Sequence, residues 1–169
     1  PRPIDRAALD SSMRRPCPQQ QWMHSCCSVA KLKRALADPN ITAIEADVLM
    51  SSPGPRVPIM AHPPSRSSDL DFSQFIDRVI ADGSRHMKLD FKEAETLEPC
   101  LALLAARAPQ LIKNGQVVWL NADVLPGPNA RHSPVPVPAH MFLPLCRRLC
   151  PFALLSLGWP LSPIGAEEA

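Results

Sequence analysis

Apolar and polar positions alternate in three stretches of this chain, residues 43–49, 87–92 and 118–123. Their polar members stand two apart: Glu45 and Asp47, then Lys88, Asp90 and Lys92, then Asn121 and Asp123. In a strand, residues i and i+2 share a face. Each stretch therefore predicts a strand with one apolar side and one polar side. Buried charges are costly unless paired or bound to an ion. Three such strands in succession predict convergence on one charged site.

The rest of the pattern fills in the elements between. Residues 20–24 read as a short strand ending at His24, and 29–36 as a helix with Ser28 as N-cap. A strand follows at 41–49, then a turn-rich loop at 51–56 and a second short strand at 57–60, leading to His62. Leu70, Phe72, Phe75, Ile76, Val79 and Ile80 fall on one face of a helix over 69–82, which Gly83 stops. Next come a strand at 86–91, a helix at 97–108 closed by Pro109, and a strand at 116–120 after an Asn114-Gly115 turn. A proline-rich loop at 126–138, a helix at 141–149 weakened by Pro144, and a strand at 152–157 complete the order.

Strands and helices alternate, which predicts an α/β fold with a parallel sheet covered by helices. His24, Glu45, Asp47, His62, Asp90, Lys92, Asn121 and Asp123 fall at or near the C-terminal ends of strands. Active sites of α/β barrels and open α/β sheets form there. The expected architecture is a TIM-like barrel cut to about five of its eight βα units. The domain reading is a disordered lead-in at 1–19, a partial barrel at 20–159 and a divergent tail at 160–169. The chain starts without Met and adds no strand after Trp159, so it reads as a fragment, a processed product or a splice form. Strand edges left open by an incomplete barrel predict a polypeptide that aggregates or unfolds in part, with weak or no catalysis.

Composition narrows the classes. The chain has 169 residues, 46% of them apolar, with a net charge of +2. That is enough for one core and gives no case for nucleic acid. No run of about 18 apolar residues occurs, so no transmembrane segment is expected. The 21 prolines cluster in the loops. None of the six cysteines forms a Cys-x-x-Cys pair, which argues against structural zinc and for reduced, partly buried thiols. The compartment stays open, soluble in the cytoplasm or secreted.

Glu45, Asp47 and Asp90 supply hard oxygen donors from two neighbouring strands, a set suited to Mg²⁺ or Ca²⁺. The plainer alternative is an Asp90–Lys92 ion pair with Glu45 capping a helix. His24 and His62 lie on either side of Glu45-x-Asp47 and could serve as general acid and base. His86, His132 and His140 read as structural.

Five separated motifs then carry a resemblance: Ile44-Glu-Ala-Asp-Val-Leu-Met50, Pro58-Ile-Met-Ala-His-Pro-Pro64, Lys88-Leu-Asp-Phe-Lys92, Trp119-Leu-Asn-Ala-Asp-Val-Leu-Pro-Gly-Pro-Asn129 and Ser156-Leu-Gly-Trp159. In this order they resemble the menorin family (family with sequence similarity 151). That family is in turn similar to the glycerophosphodiester phosphodiesterases and the phospholipase-D-like spider toxins, barrels of the phospholipase-C type. The resemblance implies Mg²⁺ held by Glu45, Asp47 and Asp90, acid–base work by His24 and His62, and phosphate binding by Lys92. Lys88, Asn121, Asp123 and Trp159 are further candidates for the substrate or phosphate side. Where the family pattern has Asn near position 27, this chain has Cys26-Cys27.

The function expected is that of a metal-dependent phosphodiesterase, a hydrolase or lyase of glycerophospho- or lysophospholipid-like diesters. The alternative is a non-catalytic binding module, or an inactive fragment form, acting through a protein partner.

Overall fold

Five strands lie parallel in the order Trp22–Met23 (β1), Ala43–Met50 (β2), His86–Phe91 (β4), Val118–Asp123 (β5) and Leu154–Gly158 (β6), and Pro58–Met60 (β3) pairs antiparallel with Ala43–Met50. The computed structural model describes residues 20–127 and 137–160. The expected lead-in, most of the 126–138 loop and the tail from residue 161 lie outside these residues, as do Cys17, Asn129 and His132. The elements are β1 (Trp22–Met23), α1 (Val29–Ala37), β2 (Ala43–Met50), β3 (Pro58–Met60), α2 (Phe72–Asp82), β4 (His86–Phe91), α3 (Leu97–Asn114), β5 (Val118–Asp123), α4 (Ala139–Leu149) and β6 (Leu154–Gly158).

The alternation read from the sequence sorts the sheet into two faces. Ile44, Ala46 and Val48 of β2, Met87, Leu89 and Phe91 of β4, and Val118, Leu120 and Ala122 of β5 are buried in one core. That core also holds Leu32 of α1, Phe75 and Val79 of α2, Leu101 and Leu104 of α3, and Phe142 of α4. The interleaved residues form the other face. In register, Glu45 stands beside Lys88 and Lys88 beside Trp119; Asp47 stands beside Asp90, Asp90 beside Asn121, and Asn121 beside Ser156.

Local chemistry explains most boundaries. The Ser28 hydroxyl accepts the Lys31 N–H at 3.2 Å and starts α1. Asp71 does the same for α2, accepting the Gln74 N–H at 2.8 Å. Gly83 ends α2 at φ 78°, a backbone state that glycine adopts without a Cβ clash.

Three expectations need correction. β3 runs antiparallel, because the short link from β2 carries no crossover helix and can only turn the chain back. Pro109 does not close α3, which continues to Asn114. Proline costs one helical hydrogen bond there, but buried Leu111 lies beyond it and Gly115 caps the end at φ 68°. Asn114-Gly115 is thus the terminus of this helix rather than a separate turn ahead of the next strand. β5 accordingly runs Val118–Asp123 rather than 116–120, and it carries Asn121 and Asp123 as the alternation over 118–123 predicts. Pro144 lies within α4, as the sequence predicts.

Candidate active site

The polar face is built from the middle of the sheet outward. Glu45 and Asp47 are only 7% and 2% exposed, on β2, which is flanked by β1 and β4. Asp90 comes from β4, directly beside Asp47. One oxygen from each of the three carboxyl groups falls within 4.8 Å of the others. Such a cluster is repulsive unless cations answer it.

Lys92 supplies one cation. Its Nζ lies 2.6 Å from Asp90 Oδ2 and 3.0 Å from Asp47 Oδ1. Burial works against its charge, yet the bonds to Asp90 and Asp47 prevail and hold the ammonium well above the ordinary lysine range. The plainer expectation of an Asp90–Lys92 pair is therefore met, and the pair extends to Asp47. Three carboxylates against one ammonium still leave two formal negative charges on these four residues.

Glu45 does not cap a helix. Its Oε2 accepts the Ser25 N–H at 2.7 Å, and the Cys26 N–H bonds the Glu45 carbonyl at 2.8 Å. These bonds tie the β1–α1 loop down onto β2, with Ser25 at φ 49°. That loop carries His24, whose Nδ1 stands 3.6 Å from Glu45 Oε2 while 68% of its side chain is exposed. Trp22 stacks on the His24 ring with centroids 6.0 Å apart and meets Trp119 edge-on at 5.4 Å. Cys27 Sγ reaches Asp47 Oδ2 at 3.8 Å. Burial, reinforced by the charges of Asp47 and Glu45, pushes its thiol up to about 11, against the opposing pull of a backbone hydrogen bond from Asp47. Cys27 therefore stays protonated near neutral pH and is no nucleophile. The five described cysteines are all free.

Asn121 joins the cluster through its Nδ2, which donates to Asp90 Oδ1 at 2.8 Å. Asp123 follows on the same face. Burial first, then the Asp90 charge, raises its carboxyl above the usual range. Lys88 lies in register between Glu45 and Trp119.

His62 and Trp159 are placed more loosely. The Ala61 N–H bonds the Asp47 carbonyl at 3.1 Å, so the backbone brings His62 next to the cluster. Its side chain is exposed, and its Nδ1 lies 2.6 Å from the carbonyl of Pro63. Trp159 follows β6 and is 47% exposed. His86 has a structural task, its Nδ1 accepting the Val117 N–H at 3.1 Å, and burial lowers its pKa. His140 is exposed on α4.

Two residues of β6, quoted within the motif Ser156-Leu-Gly-Trp159, were given no role from the sequence. Ser156 Oγ donates to Asn121 Oδ1 at 2.6 Å. At Gly158, an added Cβ would stand 2.4 Å from Asp123 Oδ1. The available signal was the alternation of Ser156 and Gly158 with Leu155 and Leu157, which puts both on the polar face.

The sequence that builds this face matches a known family. The model of the Menorin N-terminal domain matches residues 19–166. The chain belongs to the menorin family. Among curated relatives, it is 36% identical over 140 residues to the human (Homo sapiens) Protein FAM151B. The match covers 82% of this chain and 48% of that protein, so the chain spans about half the length of this menorin relative. No solved structure matches the chain. Among the described residues, no helix is long and apolar enough to cross a membrane.

Proposed function

We propose that this menorin-family domain is part of a metal-dependent phosphodiesterase of the phospholipase-C barrel type, acting on glycerophospho- or lysophospholipid-like diesters. The observation that carries the reading is the convergence of Glu45, Asp47 and Asp90 within 4.8 Å on one face of a parallel sheet.

The donor set fits the ion. All three ligands offer carboxylate oxygen, which suits Mg²⁺ or Ca²⁺ over softer metals. The two negative charges left after Lys92 match one divalent cation. Bound there, such an ion supplies Lewis-acid stabilisation of charge on a phosphoryl oxygen.

The chain's own residues account for the remaining work. His24, exposed beside Glu45, is free to accept a proton from an attacking hydroxyl. His62, on the link after β3, is the candidate to return a proton to the leaving oxygen. Lys92 and Lys88 offer positive charge to the phosphate. Trp22, Trp119 and Trp159 provide apolar surface for the organic part of a substrate. Parallel strands with helices on one face and the polar residues on the other support the barrel reading, in which that polar face lines the interior.

Phosphorus NMR of lysophosphatidylcholine and glycerophosphocholine, incubated with the protein, tests the proposal. The expected result is loss of the diester resonance with Mg²⁺ present and its persistence with EDTA. Cleavage indifferent to EDTA would remove the metal from the account.

A further inference from the structure

A chain of side-chain contacts crosses the polar face from its β6 edge. Ser156 Oγ donates to Asn121 Oδ1 at 2.6 Å, and Asn121 Nδ2 donates to Asp90 Oδ1 at 2.8 Å. Lys92 Nζ then bonds Asp90 Oδ2 at 2.6 Å and stands 3.0 Å from Asp47 Oδ1. The register explains the path, since Ser156, Asn121, Asp90 and Asp47 are direct neighbours on successive strands.

We propose that Ser156 is a positioning residue that fixes the Asn121 amide and, through it, the orientation of the Asp90 carboxylate toward Glu45 and Asp47. This rests on the reading of those carboxylates as a divalent-cation site. The argument begins with the two ends of an amide. A carboxylate accepts hydrogen bonds, so Asn121 must turn its NH₂ end to Asp90. Its oxygen then faces β6, and the residue is only 7% exposed. An oxygen there needs a donor from the protein, and Ser156 is the donor. Without the hydroxyl, the amide gains by rotating toward another partner, and Asp90 loses its fixed N–H.

The rest of β6 is shaped to the same end. Gly158 leaves the space that the Asp123 carboxylate occupies, where a Cβ would come within 2.4 Å of its oxygen. Ser156 and Gly158 thus fit the polar face as a pair, one by a hydroxyl and one by the lack of a side chain.

Groups that orient metal ligands typically carry about 10- to 100-fold in metal affinity. The test compares the parent chain with Ser156→Ala and Ser156→Thr, and uses two readouts. Mn²⁺ titration followed by electron paramagnetic resonance should show about 10-fold weaker binding in Ser156→Ala and recovery in Ser156→Thr, which keeps the hydroxyl. Proton–nitrogen correlation spectra without added ion should show the Asn121 side-chain amide resonances moved in Ser156→Ala and restored in Ser156→Thr. Parent-like Mn²⁺ affinity and unmoved Asn121 resonances in Ser156→Ala would overturn this inference alone. A parent chain that binds no Mn²⁺, with the Asn121 resonances still responding, would overturn the cation site and with it the role of Ser156 in metal binding. A Ser156→Thr variant as impaired as Ser156→Ala in both readouts would show that the hydroxyl is not the operative group.

Discussion

Lys92→Met should destabilise the chain by about 2–4 kcal/mol. Breaking a buried ion pair by removing one partner costs about 3–5 kcal/mol, and the 23% exposure of the Lys92 side chain reduces that figure. The cost arises because Asp47, 2% exposed, and Asp90 beside it lose the ammonium that hydrogen-bonds them both. Chemical denaturation reads the loss as a lower midpoint at unchanged slope. Adding Mg²⁺ should recover part of it, since a cation bound only by the folded chain stabilises by mass action. A variant as stable as the parent would show that Lys92 does not hold the carboxylates together.

The second large effect falls on turnover. If His24 takes the proton from the attacking hydroxyl, His24→Ala should slow diester cleavage by about 100- to 10,000-fold. Its ring is 68% exposed, so the folded chain should lose little stability. The Glu45 carboxylate, 3.6 Å from Nδ1, should keep its bond to the Ser25 N–H in the variant. Undiminished cleavage by a folded His24→Ala protein would make this histidine a bystander.

Much of this arrangement was legible in the chain because a strand has a strict period of two. The strand at residues 86–91 was read with its bounds intact, and its alternation assigned Lys88 and Asp90 to one face and Leu89 to the other. Caps were equally legible: Ser28 and Gly83 each have one local chemical task. Pro109 misled because local propensity ignores what lies beyond. Burial of Leu111, the Gly115 cap and the Asn114 bond to the Ile80 carbonyl at 2.9 Å outweigh one missing N–H. The direction of β3 depended on the absence of a helix in the link, and alternation alone carries no sign of direction.

Within the site, spacing brought Glu45, Asp47 and Asp90 to one face but said nothing of how Lys92 divides itself between two of them. That division depends on the pairing of β2 with β4, a contact between residues 45 positions apart in the case of Asp47 and Lys92. The role of Ser156, though the residue opens the last motif, was not legible for a related reason. A lone serine on a strand has no chemical signature until its neighbour is known, and its neighbour is an asparagine on another strand.

The central claim is that Glu45, Asp47 and Asp90 hold a divalent cation. Anomalous diffraction from crystals of the protein soaked in Mn²⁺ tests it most directly. The account predicts one strong manganese peak within bonding distance of all three carboxylates, absent from an Asp47→Asn crystal. A cluster without a peak, or a peak unaffected by Asp47→Asn, would contradict it.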